Sequence, residues 1–370
     1  MTQAIDPAYN TVRRGDFPAM LDVDRYLRRS SNFDEIISRT NDHFWDPNDP
    51  DYIDFQAPWS IEEEPLLPAE VIPELQSAVA DRLDGGQRIA FANESARWTL
   101  SNILHGEQGA LNLSSSLCDL FVDPGAQEYA ANQVREEARH VHGFSRYMIA
   151  RFGGKVLPCA DTINNLLNEL VSTEIIYKKL VGMQMLVEGV AMGAFATLHV
   201  KSNDPLLRRL CQLTMTDEAF HHKFGKIWAN STIPKLTDEQ AHEVEDWALE
   251  CFNLLLFNLV NAEQKRAIYP QFGLDKEWVA GAMMEAFTDT KRRQLMSQST
   301  DAFRTLIKTL LKAGIITDRT RASYAAWVDM KELIDEGDHM VGDDIAEEGI
   351  RYLKEINEGK RKVVKKLAPV

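Results

Sequence analysis

From Ile89 to Val122 apolar residues recur at helical spacing with no proline, and the same holds from Pro124 to the Gly153-Gly154 pair. Two long helices are therefore expected, separated only by Asp123-Pro124. After a break over 155–160, Asp161 can cap a helical stretch running to about Lys201, either unbroken or with a separate crossover helix from Asp161 to Tyr177. A fourth long helix is expected from Pro205 to about Asn230, and another opens at Thr237 with Glu239 and Glu243 in its early turns. Residues 68 to 84 read as a shorter helix, started by Pro68 or Pro73 and closed by Gly85-Gly86. No strand-rich block interrupts the pattern, so the fold class is all-α.

The ends differ from the middle. Residues up to about 65 are rich in Asp, Pro and aromatic side chains, including HFWDPNDPDYIDF from His43 to Phe55, and read as an irregular arm packed on the main body. The far end is helical in pattern and increasingly charged, closing on KRKVVKKLAPV as a basic, solvated tail. Three parts follow: 1–88, an arm and helix; 89–230, a four-helix core; 231–370, a helical extension with the basic tail.

With 370 residues, 44% of them apolar, the chain can bury a substantial core. Its 56 acidic against 41 basic residues give a net charge of -15, which argues against a broad nucleic-acid or anionic-membrane surface. The first residues, MTQAIDPAYN, lack a basic segment followed by an apolar run, and no stretch is expected to reach the length of a membrane span. Cys118, Cys159, Cys211 and Cys251 are widely spaced and form neither a CxxC pair nor a disulfide framework, which fits a reducing cytoplasm.

The chemistry lies in an internal repeat. Glu107, Asp123, Pro124, Glu137 and His140 recur, 81 positions later, as Glu188, Asp204, Pro205, Glu218 and His221, and Glu136 recurs as Asp217. Asp caps the free N–H groups of a helix start and Pro needs no hydrogen bond at its first position, so each Asp-Pro is a turn between two helices. Glu107 lies 16 residues before its turn and Glu137 lies 14 after it, so the arms are roughly 24 and 21 Å long and the two carboxylates come level. In each Glu-x-x-His the spacing i to i+3 puts both side chains on one helix face. A lone Glu-x-x-His is commonplace; two copies with matching upstream glutamates are not. Four carboxylates and two imidazoles suit iron or manganese, as a pair of irons or as Fe/Mn or Mn/Mn. Glu169 and Glu174 compete with Glu188 but lack the repeat spacing. The small residues Gly106, Gly109, Gly189, Ala191, Gly193 and Ala194 would leave either room beside the metals or close helix packing. His105, His142, His199 and His222 do not repeat and are expected outside the coordination sphere.

Across roughly residues 90 to 230 these motifs resemble the ferritin-like di-iron carboxylate oxygenases and oxidases. GEQGA, EEARH and DEAFHH look nearest to the benzoyl-CoA epoxidase and multicomponent monooxygenase hydroxylase type. The resemblance implies a ferritin-like four-helix bundle carrying a dimetal site, with extra N- and C-terminal helices. Its metal ligands and catalytic residues would be Glu107, Glu137, His140, Glu188, Glu218 and His221, with Glu136 and Asp217 holding the histidines from outside. It implies activation of dioxygen to hydroxylate, epoxidise or desaturate a small organic substrate. A reductase or ferredoxin would supply electrons, and the chain could form a homodimer. The alternative is a radical-storing protein like the ribonucleotide reductase small subunit, or a ferritin-like ferroxidase.

Departures from the family patterns narrow the choice. Phe144 stands where the reductase small subunit usually has its radical-bearing tyrosine, and Tyr352 is the last tyrosine. Met192 stands where the multicomponent hydroxylases often have threonine, and Thr214 where the aromatic-amine N-oxygenases have an extra histidine. Tyr129, Tyr147 and Trp228 have helical phases that could face the cluster, with core packing as the ordinary reading. Trp45, Tyr52, Phe55 and Trp59 would anchor the arm or cover a substrate entrance.

Overall fold

The computed structural model describes residues 6, 8–260, 265–288, 302–335 and 342–361. It is all-helical, and among the described residues strand pairing is limited to isolated bridges such as Thr11 with Phe121.

Helix α1 runs Gly85–Leu120 and α2 runs Pro124–Phe152. Asp84 and Gln87 form a reciprocal cap that opens α1. Gly85-Gly86 thus begins a helix where the sequence had suggested the end of one. Residues 68 to 84 form only short 3₁₀ turns, at Ala69–Val71, Pro73–Gln76 and Ala80–Arg82. Pro73 lacks the N–H that a continuous helix would need from it, and Ser77 is extended. Asp123 accepts from the Gly125 N–H at 2.9 Å and caps α2, which ends where Gly153 turns left-handed at φ 59°.

The stretch after α2 is broken, as one of the two sequence readings had it: α3 spans Asp161–Ser172, and a separate helix, α4, covers Ile176–Lys201. Within α4 the eight residues Leu180–Val187 are π-helical, and Glu188 begins the α-helical remainder. Helix α5 follows as Pro205–Thr232, capped by Asp204. Then come α6 (Asp238–Val260, opened by Thr237 and Gln240), α7 (Lys276–Ala286), α8 (Ala302–Lys312) and α9 (Asp343–Arg361). Most of the basic tail lies outside the described residues. The arm before residue 65 has only short helical turns, including Asp34–Arg39, and is pinned by buried Phe33, Trp45, Tyr52 and Phe55.

Helix directions follow from where the apolar side chains go. One core cluster holds Leu113 and Leu117 of α1, Tyr129 of α2, Met183 and Leu186 of α4, and Phe224 of α5. The other holds Leu100, Phe144, Phe195 and Leu210 from the same four helices. Each helix therefore crosses from one cluster to the other at its Glu or Glu-x-x-His. Helices α1 and α5 run one way and α2 and α4 the other. Because α2 and α4 run the same way, α3 and its flanking segments must return the chain, and α3 packs on α1 as it does so. Outside the four, α8 lies on α4 and α9 on α5.

Against the sequence expectation, Ile176–Lys201 is long and apolar enough to cross a membrane by length and composition. Of its most apolar window 72% is buried inside the protein, as in a core helix.

Candidate metal centre

The structure brings all six repeat residues together between the two apolar clusters. Glu137, His140, Glu218 and His221 are fully buried, and Glu107 and Glu188 nearly so. Donor atoms of Glu107, Glu137, His140 and Glu218 lie within 4.8 Å of one another, as do those of Glu137, Glu188, Glu218 and His221. Glu137 and Glu218 belong to both groups. Each Glu-x-x-His helix thus supplies one shared carboxylate and one histidine, while Glu107 and Glu188 each serve one end.

Both histidines turn Nδ1 inward. His140 Nδ1 lies 3.1 Å from Glu107 Oε2 and 3.1 Å from Glu218 Oε1, and His221 Nδ1 lies 3.0 Å from Glu137 Oε1 and 3.2 Å from Glu218 Oε2. The Nε2 atoms face outward to acids, and they do so across the repeat. His140 pairs with Asp217 of the second hairpin at 2.8 Å, and His221 with Glu136 of the first at 3.0 Å. An acid on Nε2 fixes the tautomer with its proton there and leaves the Nδ1 lone pair for a cation.

Charge distribution explains what the cluster wants. Burial pushes Glu107 up to about 8, with His140 opposing, and burial together with Glu218 and Glu137 pushes Glu188 well above the carboxylate range. Burial acts the same way on Glu137 and Glu218, but the His221 charge and the histidine hydrogen bonds outweigh it and hold both low. His140 and His221 are driven well above their ordinary values although burial disfavours their charge, because acids surround them. Protons here do the work of cations. Glu137 Oε2 and Glu218 Oε1 are buried and face the inward Nδ1 of His140, at 3.4 and 3.1 Å, which fits oxygens placed to share a metal with that nitrogen. Two divalent cations would neutralise the four carboxylates, leaving a resting site that tolerates burial.

Several side chains at the cluster carried no repeat signal. Asp217 also accepts from Arg139 Nη2 at 2.7 Å and from Trp45 Nε1 at 3.0 Å. His43 Nε2 lies 3.3 Å from Asp217 Oδ1 and 3.6 Å from Glu136 Oε1, and its ring stacks on Phe220. The arm is thus anchored on the outer acids through His43 and Trp45. Gln133 Nε2 donates to Glu137 Oε1 at 3.0 Å; its position one turn before Glu137 was the only clue in the sequence.

The remaining candidates fall elsewhere. Glu169 pairs with Lys178, Glu174 is exposed, and neither reaches the cluster. His142 is exposed, His105 bonds the Leu157 carbonyl and His199 the Arg208 carbonyl. His222 is buried and bonds Thr309 instead. Tyr147 donates to Asp204 at 2.8 Å and Phe144 stacks on Phe195. Tyr129 is fully buried with its hydroxyl unpartnered. Trp228 packs on Tyr9, and the Thr214 hydroxyl is buried and unpartnered. Met192 lines a small cavity of about 70 Å³ with His222 and Lys223. The glycines divide between the two readings: a side chain at Gly109 or Gly189 would strike Leu167 or Leu306 at 2.7 Å, whereas Gly106 has nothing within 4 Å.

No protein-family model matches the chain, and no curated protein matches it either.

Proposed function

We propose that the chain is a non-heme di-iron oxidoreductase of ferritin-like architecture that activates dioxygen to oxidise a small organic substrate, with electrons from an external donor. The reading rests on one observation: two buried groups of carboxylates and histidine that share Glu137 and Glu218. Glu107 and His140 would complete the ligands of one cation, and Glu188 and His221 those of the other. Bound as a pair, the metals would supply two-electron chemistry toward dioxygen. The protein's own part is to orient the imidazoles through Asp217 and Glu136 and to exclude water by burying all six ligands.

The test is an anaerobic titration of metal-free protein with ferrous ion, followed by exposure to oxygen with a chemical reductant present. Two irons per chain and oxygen uptake that returns the site to its starting spectrum support the reading. A persistent radical or a polymeric iron core would instead establish the radical-storing or ferroxidase alternative.

A further inference from the structure

Beside the cluster lies a cavity of about 150 Å³, lined by Glu107 and Glu188 at its inner end and by side chains of α1, α3, α4 and α6. Apart from those two carboxylates its wall offers a ligand little polarity. Asn102 is engaged at both ends, donating to the Trp98 carbonyl at 2.9 Å and accepting from the Ala160 N–H at 2.9 Å. The Thr99 hydroxyl donates back to the Ser95 carbonyl. Among the described residues no Lys, Arg or His lines the cavity. An anionic group entering here would lose its hydration and meet only the two carboxylates, and a polar group along the rest of the wall would gain no partner.

We infer that this cavity binds an uncharged, apolar group about the size of a six-carbon ring and holds it against the Glu107 and Glu188 edge of the cluster. The size follows from the volume, since a protein cavity of about 150 Å³ has room for benzene. The position follows from small residues. Gly106, Ala110, Ala191 and Ala194 line the cavity beside the two glutamates, and larger side chains there would fill the space that a ligand needs. That the bound group is the one oxidised rests on the dimetal reading; that it binds does not.

Benzene, cyclohexane and benzoate are offered to the full-length metal-free protein, with affinity read by calorimetry and by ligand-dependent shift of the melting temperature. Benzene and cyclohexane are expected to bind, and benzoate to bind at least about tenfold more weakly. Ala194→Phe should weaken benzene binding about tenfold or more by occupying the space. Gly106→Leu should do the same; it meets no atom at Cβ, so it tests the cavity even if Ala194→Phe does not fold. Equal affinity for benzoate, or unchanged benzene binding in both variants, overturns the inference. Ferrous-ion stoichiometry measured on the same samples separates the two questions: benzene binding without metal binding leaves the cavity standing and removes the dimetal reading, and metal binding without benzene binding does the reverse.

Discussion

In the first hairpin, α1 and α2, Glu107 sits in an unbroken α-helix beside the open position Gly106; in the second, α4 and α5, Glu188 follows directly on eight π-helical residues and its neighbour Gly189 is pressed against Leu306. A π turn closes with an i to i+5 bond, here from the Glu188 N–H to the Met183 carbonyl, so it changes the rotational phase at which the following residue leaves the helix. The Asp-Pro turns differ as well. Asp123 is half-buried and accepts from the Ser30 N–H of the arm, whereas Asp204 is fully buried and takes Arg151, Tyr147 and the Leu206 N–H together. Identical ligands therefore stand on unequal supports. The repeat carries the coordination chemistry, and the surroundings decide how firmly each half is held and which side of the cluster opens.

Substitutions can break this comparison in order of effect. Glu137→Ala and Glu218→Ala each remove a carboxylate common to both groups and should lose both metals while the protein remains helical. Glu107→Ala and Glu188→Ala should each lose one metal preferentially. Metal analysis with circular dichroism checks this, and full stoichiometry in Glu137→Ala or His221→Ala would refute the ligand assignment. Next come the turns. Asp204→Ala leaves Arg151 buried without its carboxylate and should cost about 3–5 kcal/mol. Asp123→Ala removes mainly a cap, at a cost of about 1 kcal/mol. Urea denaturation of the two variants reads the difference, and equal losses would show that the turns are equivalent supports.

The outer acids sharpen the comparison further. Asp217→Asn and Glu136→Gln should each weaken metal binding by about 10–100-fold, since each leaves a histidine without its anchoring carboxylate. Asp217 should be the worse loss because Arg139 and Trp45 depend on it too. Competition with a chromophoric chelator measures both.

The smallest effect is one of pH. In the metal-free protein Glu107 titrates at about 8, above its unfolded value of about 4.3, so the folded state holds the extra proton and the stabilisation is lost as pH rises between the two. The raised histidines act in the same direction above about pH 6.5. The metal-free melting temperature should therefore fall between pH 6 and 9, with a flatter profile once metal replaces the protons. Calorimetry at several pH values checks it, and parallel profiles would rule out metal-for-proton exchange.

Much of this was legible in the sequence because the repeat and the helix stops are local signals. Asp-Pro turns, Gly153 and the i to i+3 pairs each report on a few neighbouring residues, and the long helices begin and end close to where they imply. The 68–84 segment misled for the same reason: its apolar spacing is helical, yet Pro73 breaks it and Asp84 caps the next helix rather than letting Gly85-Gly86 end this one. The π segment has no compositional mark, because Leu180–Val187 is apolar apart from Gln184 and looks like any core helix. His43 and Trp45 were hidden by distance: Trp45 lies 172 residues from the Asp217 it bonds, and nothing in a single sequence records such a pairing.

The crossed histidine bonds make each hairpin depend on the other. One hairpin cannot satisfy its own imidazole, because the acid beside its Glu serves the histidine of the other. Two copies related by a twofold axis would satisfy each other reciprocally, as an isologous interface requires. The 81-residue repeat thus gives one polypeptide the arrangement of a symmetric dimer of hairpins, with α3 in the connection between them.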